Sequence, residues 1–314
     1  MKNKPIFWVF VYNIKVIIIN HLRVLIIILV CGATSYVNSQ TILPSFAGAQ
    51  HKKSLWSPST ESSLIAWWDA SDVSTLTGDP KVTQMTSKKG SFTLQNINSK
   101  SPDRITINSL NALDFVMSSN ETLLTSALNY NISDGNIIVV GALVIEDNNH
   151  RADAIWSIKD ENEPNNDIQL RAGNSSKFIG AYETDGLGSS GNNLAGGSEQ
   201  FFTSVPANGF LGNIIHSTIM DADNDDIYGR MNGLEKINIT NEYLTDVEMS
   251  NSIFFIHSNR SANRELDGKF MELMIFNSND TNLAIKAEGY LAHKWGLEGD
   301  LDSGHPYKNS GPQN

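Results

Sequence analysis

The chain has 314 residues, with 34 acidic and 23 basic side chains, a formal net charge of −11 at pH 7, and 40% hydrophobic against 18% charged residues. That balance supports one large packed domain or two small ones and excludes disorder as the default. An acidic surface repels nucleic acid and anionic lipid, so neither is an expected partner.

The start of the chain is basic and free of acid: Lys2, Lys4, Lys15 and Arg23 are its only charged residues before Gln40. An apolar stretch runs from Val24 to Val37, and Val37-Asn38-Ser39 places compact residues where a leader peptidase cuts, before Gln40. Residues 1–39 therefore read as a signal peptide. The alternative is an uncleaved N-terminal anchor, because Ile6–Tyr12 and Val16–Ile19 are also apolar, although the main stretch is shorter than the roughly 20 residues of a membrane span. On either reading the domain is secreted or held at the cell surface, and any membrane contact is through the leader. Cys31 is the only cysteine and lies in this leader. A lipid anchor on it is a further alternative, but Leu29-Val30 lacks the small residue wanted beside such a cysteine. Without other thiols, disulfides, thiolate zinc sites and cysteine nucleophiles are excluded beyond it. An exported domain of this kind is held by its core.

Residues 40–58 read as an irregular lead-in containing Pro44 and Pro58. From Leu64 the pattern is of short strands between Gly, Asn, Asp and Ser clusters, the signature of an all-β sandwich. The expected strands are Leu64–Asp69, Asn111–Val116, Asn136–Ile145, Ala154–Lys159, Asp167–Arg171, Lys177–Glu183, Asn213–Met220, Ile227–Met231, Ser252–His257 and Gly268–Asn277. Leu64–Trp68 is apolar on both faces and the last strand is almost continuously apolar, so both are expected to be buried. Thr184–Gly209, rich in Gly, Ser and Asn, reads as a long surface loop of the kind that carries binding. Near the end, Leu283, Ala287, Tyr290, Leu291 and Lys294 or Trp295 recur at helical spacing. Asp280 or Thr281 can cap that helix, and Gly296-Leu297 can stop it. His305-Pro306-Tyr307 then closes the ordered chain, leaving 309–314 as a tail.

Three pieces together resemble one family. They are Leu64–Asp72 with Val82–Met85 and Asn111–Phe115; His216–Asp221 with Ile227–Gly233, ending in an Asn-Gly tip; and Asp267–Asn277 with Tyr290–Leu297 and His305-Pro306-Tyr307. The set is similar to laminin-G-like, concanavalin A-like jelly-roll domains of exported bacterial proteins. The resemblance implies a two-sheet antiparallel jelly-roll sandwich over residues 59–308 with a short C-terminal helix. It also implies carbohydrate binding in many relatives, structural or adhesive roles in others, and calcium in some. The middle, Ala152–Gly209, matches weakly.

Candidate sites follow from side-chain chemistry. Asp221, Asp223 and Asp225 alternate along an acidic run whose carboxylates suit calcium. The run is not an EF-hand loop, since Asp226 and Asn232 stand where glycine and glutamate are needed, and a turn between two strands is the favoured reading. Asp267 and Glu272 could form a retaining-glycosidase pair, but regular alternation puts them on opposite faces. Gly186–Gly191 spells the dinucleotide glycine pattern without the helix that must follow it. His51, His150, His216, His257, His293 and His305 show no metal-ligand spacing. Trp67, Trp68 and Trp295 lie on apolar stripes and read as core. Trp156 and Tyr182 are the aromatic candidates for stacking on sugar. Asn120, Asn131, Asn174, Asn238, Asn259 and Asn279 each begin a glycosylation sequon. The reading is an exported, non-catalytic domain whose partner is a polysaccharide or a cell-surface glycan or protein, with no cofactor beyond the calcium alternative. A structural or adhesive surface component and a glycan hydrolase or lyase are the rivals.

Overall fold

Among the described residues, seventeen strands alternate with turns because the apolar runs are short and punctuated, and the segment after Asn277 has helical periodicity. The computed structural model describes residues 55–96, 99–116, 119, 121–125, 136–147, 153–160, 167–172, 181–185, 200–201, 211–221, 223–224, 226–239, 252–257 and 266–314, all within the unit Leu55–Asn314.

In chain order the strands are β1 (Leu64–Asp69), β2 (Leu76–Thr77), β3 (Gln84–Thr86), β4 (Thr93–Asn96), β5 (Asp103–Ile107), β6 (Leu110–Phe115), β7 (Leu123–Thr125), β8 (Ile137–Asp147) and β9 (Asp153–Asp160). They continue as β10 (Asp167–Ala172), β11 (Ala181–Asp185), β12 (Gln200–Phe201), β13 (Gly212–Asp221), β14 (Asp226–Met231), β15 (Leu234–Ile239), β16 (Ser252–Ile256) and β17 (Asp267–Asn277), followed by helix α1 (Thr281–Trp295). Nine of the ten expected strands are present with small shifts at their ends, and of Lys177–Glu183 the part from Ala181 is strand while 177–180 lie outside the described residues. Six further short strands, β2 to β5, β7 and β15, lie where apolar positions are too few to show a period. The loop expected over Thr184–Gly209 contains another: Gln200 pairs with Tyr182 as part of β12. The rest of that loop after Asp185, with Gly186–Gly191, lies outside the described residues.

The strands form a two-sheet antiparallel sandwich, as expected. One sheet has eight strands in the order β15-β14-β13-β8-β17-β6-β5, with β1 joining β17 beside β6. The other has nine in the order β12-β11-β10-β9-β16-β7-β4-β3-β2. Alternation along each strand sends one set of apolar side chains between the sheets. There Trp68 and Trp156 stack on Phe254 at centroid distances of 5.6 and 6.0 Å. On the eight-stranded sheet the alternate set is apolar as well, because α1 lies over it. Trp67, Ile138, Val140, Ile215, Met274 and Phe276 pack there with Ala287, Leu291 and Trp295. A helix with one apolar stripe and a sheet with two apolar faces have no other stable arrangement.

The helix ends obey local chemistry. Asp280 Oδ1 accepts from the Asn282 N–H at 2.8 Å, and Gly296 closes the helix at φ 68° with its N–H donating to Ala292. The Asn232-Gly233 tip joins β14 to β15 with both residues at positive φ, 49° and 83°, as a two-residue hairpin requires. The chain does not end at Tyr307. Leu55 pairs with Gln313 across an antiparallel bridge, and Trp56 N–H donates to Pro312 O at 2.8 Å. Trp56 itself is buried against Tyr290. The end of the lead-in and the tail thus brace one another under α1.

Candidate functional site

The structure separates the residues singled out above. Asp221 and Asp226 are paired across the β13–β14 hairpin, so the acidic run is a turn between strands. Asp221 is held by Asn224, whose Nδ2 donates to it at 2.8 Å, and Asn279 Nδ2 donates to both Asp221 Oδ1 and Asp223 Oδ2 at 3.0 and 3.2 Å. The carboxylates therefore face amide hydrogens. Asp225 lies outside the described residues. Among the described residues no group of three or more His, Cys, Asp or Glu side chains could hold a metal ion.

Trp156 is fully buried between the sheets, stacked on Phe254, and so presents no face to solvent in this structure. Tyr182 lies opposite Leu170 in the β10–β11 ladder, and its side chain lies outside the described residues. Trp67, Trp68 and Trp295 are core, 6%, 0% and 0% exposed. His293 Nε2–H donates to Tyr307 O at 2.7 Å, tying α1 to the closing segment.

What the structure does bring together is a set of ionised groups beneath α1. β1 and β17 are antiparallel neighbours, and their register sets Asp69 directly opposite Glu272. A bulge between Phe270 and Glu272 makes this possible, by returning Glu272 to the helix side of the sheet. The carboxylate beside Glu272 is therefore Asp69, not Asp267. Two like charges facing each other on paired strands repel, and both are buried, Asp69 at 2% exposed and Glu272 at 0%. Lys294, in the last turn of α1, resolves the conflict. Its Nζ stands 2.6 Å from Glu272 Oε2 and 2.8 Å from Asp69 Oδ2.

Donors from every side complete the cluster. The indole N–H of Trp67 donates to Glu272 Oε1 at 2.6 Å, and that of Trp295 donates to Oε2 at 2.8 Å. Ser71 donates to Asp69 Oδ1 through its N–H at 3.1 Å and its hydroxyl at 2.6 Å. Lys88 reaches Asp69 Oδ2 at 3.0 Å and lies over the Trp67 ring, 4.2 Å from its centroid. The two carboxyls consequently part in acidity. Burial raises both, but at Asp69 the lysines and Ser71 outweigh it and hold the group below the usual carboxylate range. At Glu272 burial prevails over Lys294 and Trp295, with the Asp69 charge adding to it, and the group lies above that range.

A second buried cluster lies at the middle of α1. Glu288 accepts from Ser217 Oγ at 2.5 Å and from Arg230 Nε and Nη2 at 2.8 and 3.2 Å, with His305 Nε2 at 3.2 Å. Burial would raise Glu288, but His305, Arg230 and Ser217 together hold it low. This cluster joins β13, β14, α1 and the closing His-Pro-Tyr segment. Sequence reasoning named Lys294 only as one of two residues on the helix stripe. A lysine on a buried stripe, with an aspartate ending an apolar strand, was the signal available for the first cluster.

The nine-stranded sheet is different on its outward side at the β3–β4 end. Met85 and Leu94 point into the sandwich, so Gln84, Thr86, Thr93 and Gln95 point out. Gln84 pairs with Gln95 and Thr86 with Thr93 across the strands, and both glutamines are exposed.

No known protein family and no curated protein matches this sequence. Among solved structures, the chain is similar to domain 4 of AbnA, an extracellular GH43 arabinanase from Geobacillus stearothermophilus, in complex with arabinotriose. The TM-score is 0.49 at 14% identity, over 72% of this chain and 97% of that one. It is also similar to the CBM40 of the Ruminococcus gnavus IT-sialidase bound to α2,3-sialyllactose, with TM-score 0.36 and 10% identity over 47% of this chain and 79% of that one. A third is the binding domain of botulinum neurotoxin serotype G, with TM-score 0.48 and 11% identity over 70% of this chain and half of that one. By its own strand pairing, this chain is a two-sheet antiparallel β-sandwich capped by a C-terminal helix.

Proposed function

We propose that the domain is an exported, non-catalytic recognition module of the concanavalin-like kind that binds a polysaccharide or cell-surface glycan. The observation that carries this reading is the row of exposed Gln84, Gln95 and Thr86, with half-buried Thr93, on the outer side of the nine-stranded sheet. Amides and hydroxyls both donate and accept, which matches a ligand made of hydroxyls, and a row on a sheet follows an extended polymer. The net negative charge argues for a neutral or cation-bearing ligand. A hydrolytic reading is disfavoured by Glu272, which is fully buried with an indole N–H on each oxygen and so beyond reach of a sugar.

The test is retention on immobilised neutral polysaccharides, with release of reducing ends assayed in parallel. Saturable retention without product is expected. Each lost hydrogen bond is worth about 1 kcal/mol, so the double change Gln84→Ala, Gln95→Ala should weaken retention roughly tenfold or more. Retention unaffected by both changes would remove this face from the proposal, and sugar release would overturn its non-catalytic part.

The calcium alternative is tested on the same preparation. Because Asn279 already donates to Asp221 and Asp223, we expect a chelator to leave the melting temperature unchanged. A fall would place calcium in the domain. An adhesive or structural role is the second reading, favoured by the buried ion pairs of Lys294 with Asp69 and Glu272 and of Arg230 with Glu288, which tie the closing helix to the sheet.

A further inference from the structure

The geometry points to a self-catalysed amide cross-link between the side chains of Lys294 and Asp69, promoted by Glu272. A domain with no thiol beyond the leader has no disulfide to staple it, yet here an amine and a carboxyl from distant parts of the chain meet in a closed apolar site. Lys294 Nζ and Asp69 Oδ2 are 2.8 Å apart, between the end of β1 and the last turn of α1. Trp67, Trp295 and Tyr290 line the place, and all three are buried. In such surroundings an ion pair is expensive to hold, and a neutral amide removes both charges.

Three features supply what amide formation demands. The nucleophile must be a free amine, and Glu272 Oε2, 2.6 Å from Nζ, is placed to take its proton. The acceptor must be a carboxyl whose second oxygen is stabilised as charge develops. Asp69 Oδ1 has the N–H and the hydroxyl of Ser71 on it, an arrangement that suits a tetrahedral oxyanion. The leaving oxygen must be protonated, and Oδ2 is the one beside Lys294 and Lys88. Burial raises the pKa of Glu272, which fits a group that both takes and returns a proton.

The step balances within the chain. The ammonium of Lys294 passes one proton to the Asp69 carboxylate, giving an amine and a carboxylic acid. Nζ bonds to Cγ of Asp69, and Glu272 accepts the proton that Nζ sheds. Glu272 then returns that proton to Oδ2, the Cγ–Oδ2 bond breaks, and one water leaves. Nothing is oxidised or reduced, and Glu272 ends as it began. Lys88 is also 3.0 Å from Oδ2 but is bound to Asp72 at 3.2 Å and more exposed, so Lys294 is the nucleophile.

Peptide mass analysis of the full, folded chain tests this. Trypsin cuts after Lys53, Lys81, Lys286 and Lys308, but not after a lysine whose amine is an amide. Wild type should give the peptides Ser54–Lys81 and Ala287–Lys308 joined, lighter by one water than their sum, with no cut after Lys294. Asp69→Asn should give the same joined product by loss of ammonia instead of water. Glu272→Gln should give the two peptides unjoined. If Glu272→Gln fails to fold, wild type and Asp69→Asn decide the matter. Cleavage after Lys294 with two separate peptides from folded wild type overturns the proposal, and a join between Ser54–Lys81 and the peptide carrying Lys88 overturns the choice of nucleophile. Neither result depends on whether a glycan binds.

Discussion

Replacing Glu288 by alanine is expected to lower the domain's stability by about 3–5 kcal/mol, because it strands buried partners whose charge nothing else compensates. Arg230 loses both contacts to the carboxylate, at 2.8 and 3.2 Å, and keeps only its bond to Gly233 O at 2.8 Å. Ser217 and His305 lose the same acceptor. For a domain of this size the loss corresponds to a melting temperature lower by on the order of 10 °C. Glu288→Gln keeps the shape and one acceptor but not the charge, so its loss should be intermediate. A thermal melt of the two variants beside wild type decides. If Glu288→Ala melts within two or three degrees of wild type (about 1 kcal/mol), the cluster contributes far less than its burial implies.

The second large effect is acid sensitivity arising from His216 and His257. Both are fully buried, and neither ring nitrogen of either has a hydrogen-bond partner among the described residues. His216 projects from β13 between the sheets, and Gly141 on β8, its cross-strand partner, leaves room for it. A Cβ there would stand 2.7 Å from its Nε2. His257 packs on Phe115 at 4.5 Å between ring centroids. Burial pushes each imidazole down from 6.5 to about 3, with Glu288 opposing this at His216, and the nearby Leu266 backbone opposing it at His257, where His216 adds to it.

A folded value below the unfolded one means that the unfolded chain binds more protons. Stability is therefore whole above about pH 6.5 and falls as pH drops toward about 3, by roughly 1.4 kcal/mol per pH unit for each histidine. Glu288, held low, adds to the loss only below the unfolded carboxylate range. Glu272, held high, acts in the opposite sense, since its protonation relieves the fold. Replacing His216 by leucine should leave stability at pH 7 unchanged or greater and move the acid midpoint lower. Denaturant titrations at pH 7 and pH 5 measure this directly. An unchanged pH 7 to pH 5 difference in the leucine variant would contradict the assignment.

The legibility of the fold followed the length of its signals. β1, β8, β13 and β17 are long and apolar, and their sequences announce them. β2 to β5 are two to five residues each and became strands only because neighbours offered free backbone groups. The helix, its Asp280 cap and its Gly296 stop were readable because caps are local chemistry. Trp68 and Trp295 were readable as core for the same reason, through their place on apolar stripes.

The candidate sites were not readable in that way. Asp69 and Glu272 are adjacent only because β1 pairs with β17, and they share a face only because of the bulge before Glu272. Regular alternation set Asp267 on the opposite face from Glu272 but could not show that Asp69 lies beside it. Lys294 meets them because α1 folds back over the sheet, a contact spanning most of the domain. Likewise the outward row at Gln84 and Gln95 exists by strand register alone.

By itself, then, the sequence determined the strand-rich composition, the closing helix and the lack of any thiol after Cys31, since each is read without long-range contacts. Only the tertiary structure decided which charges meet under the helix and which polar face remains open. Those are pairings across long separations in sequence, and they are set by register, which a single mid-strand bulge can shift.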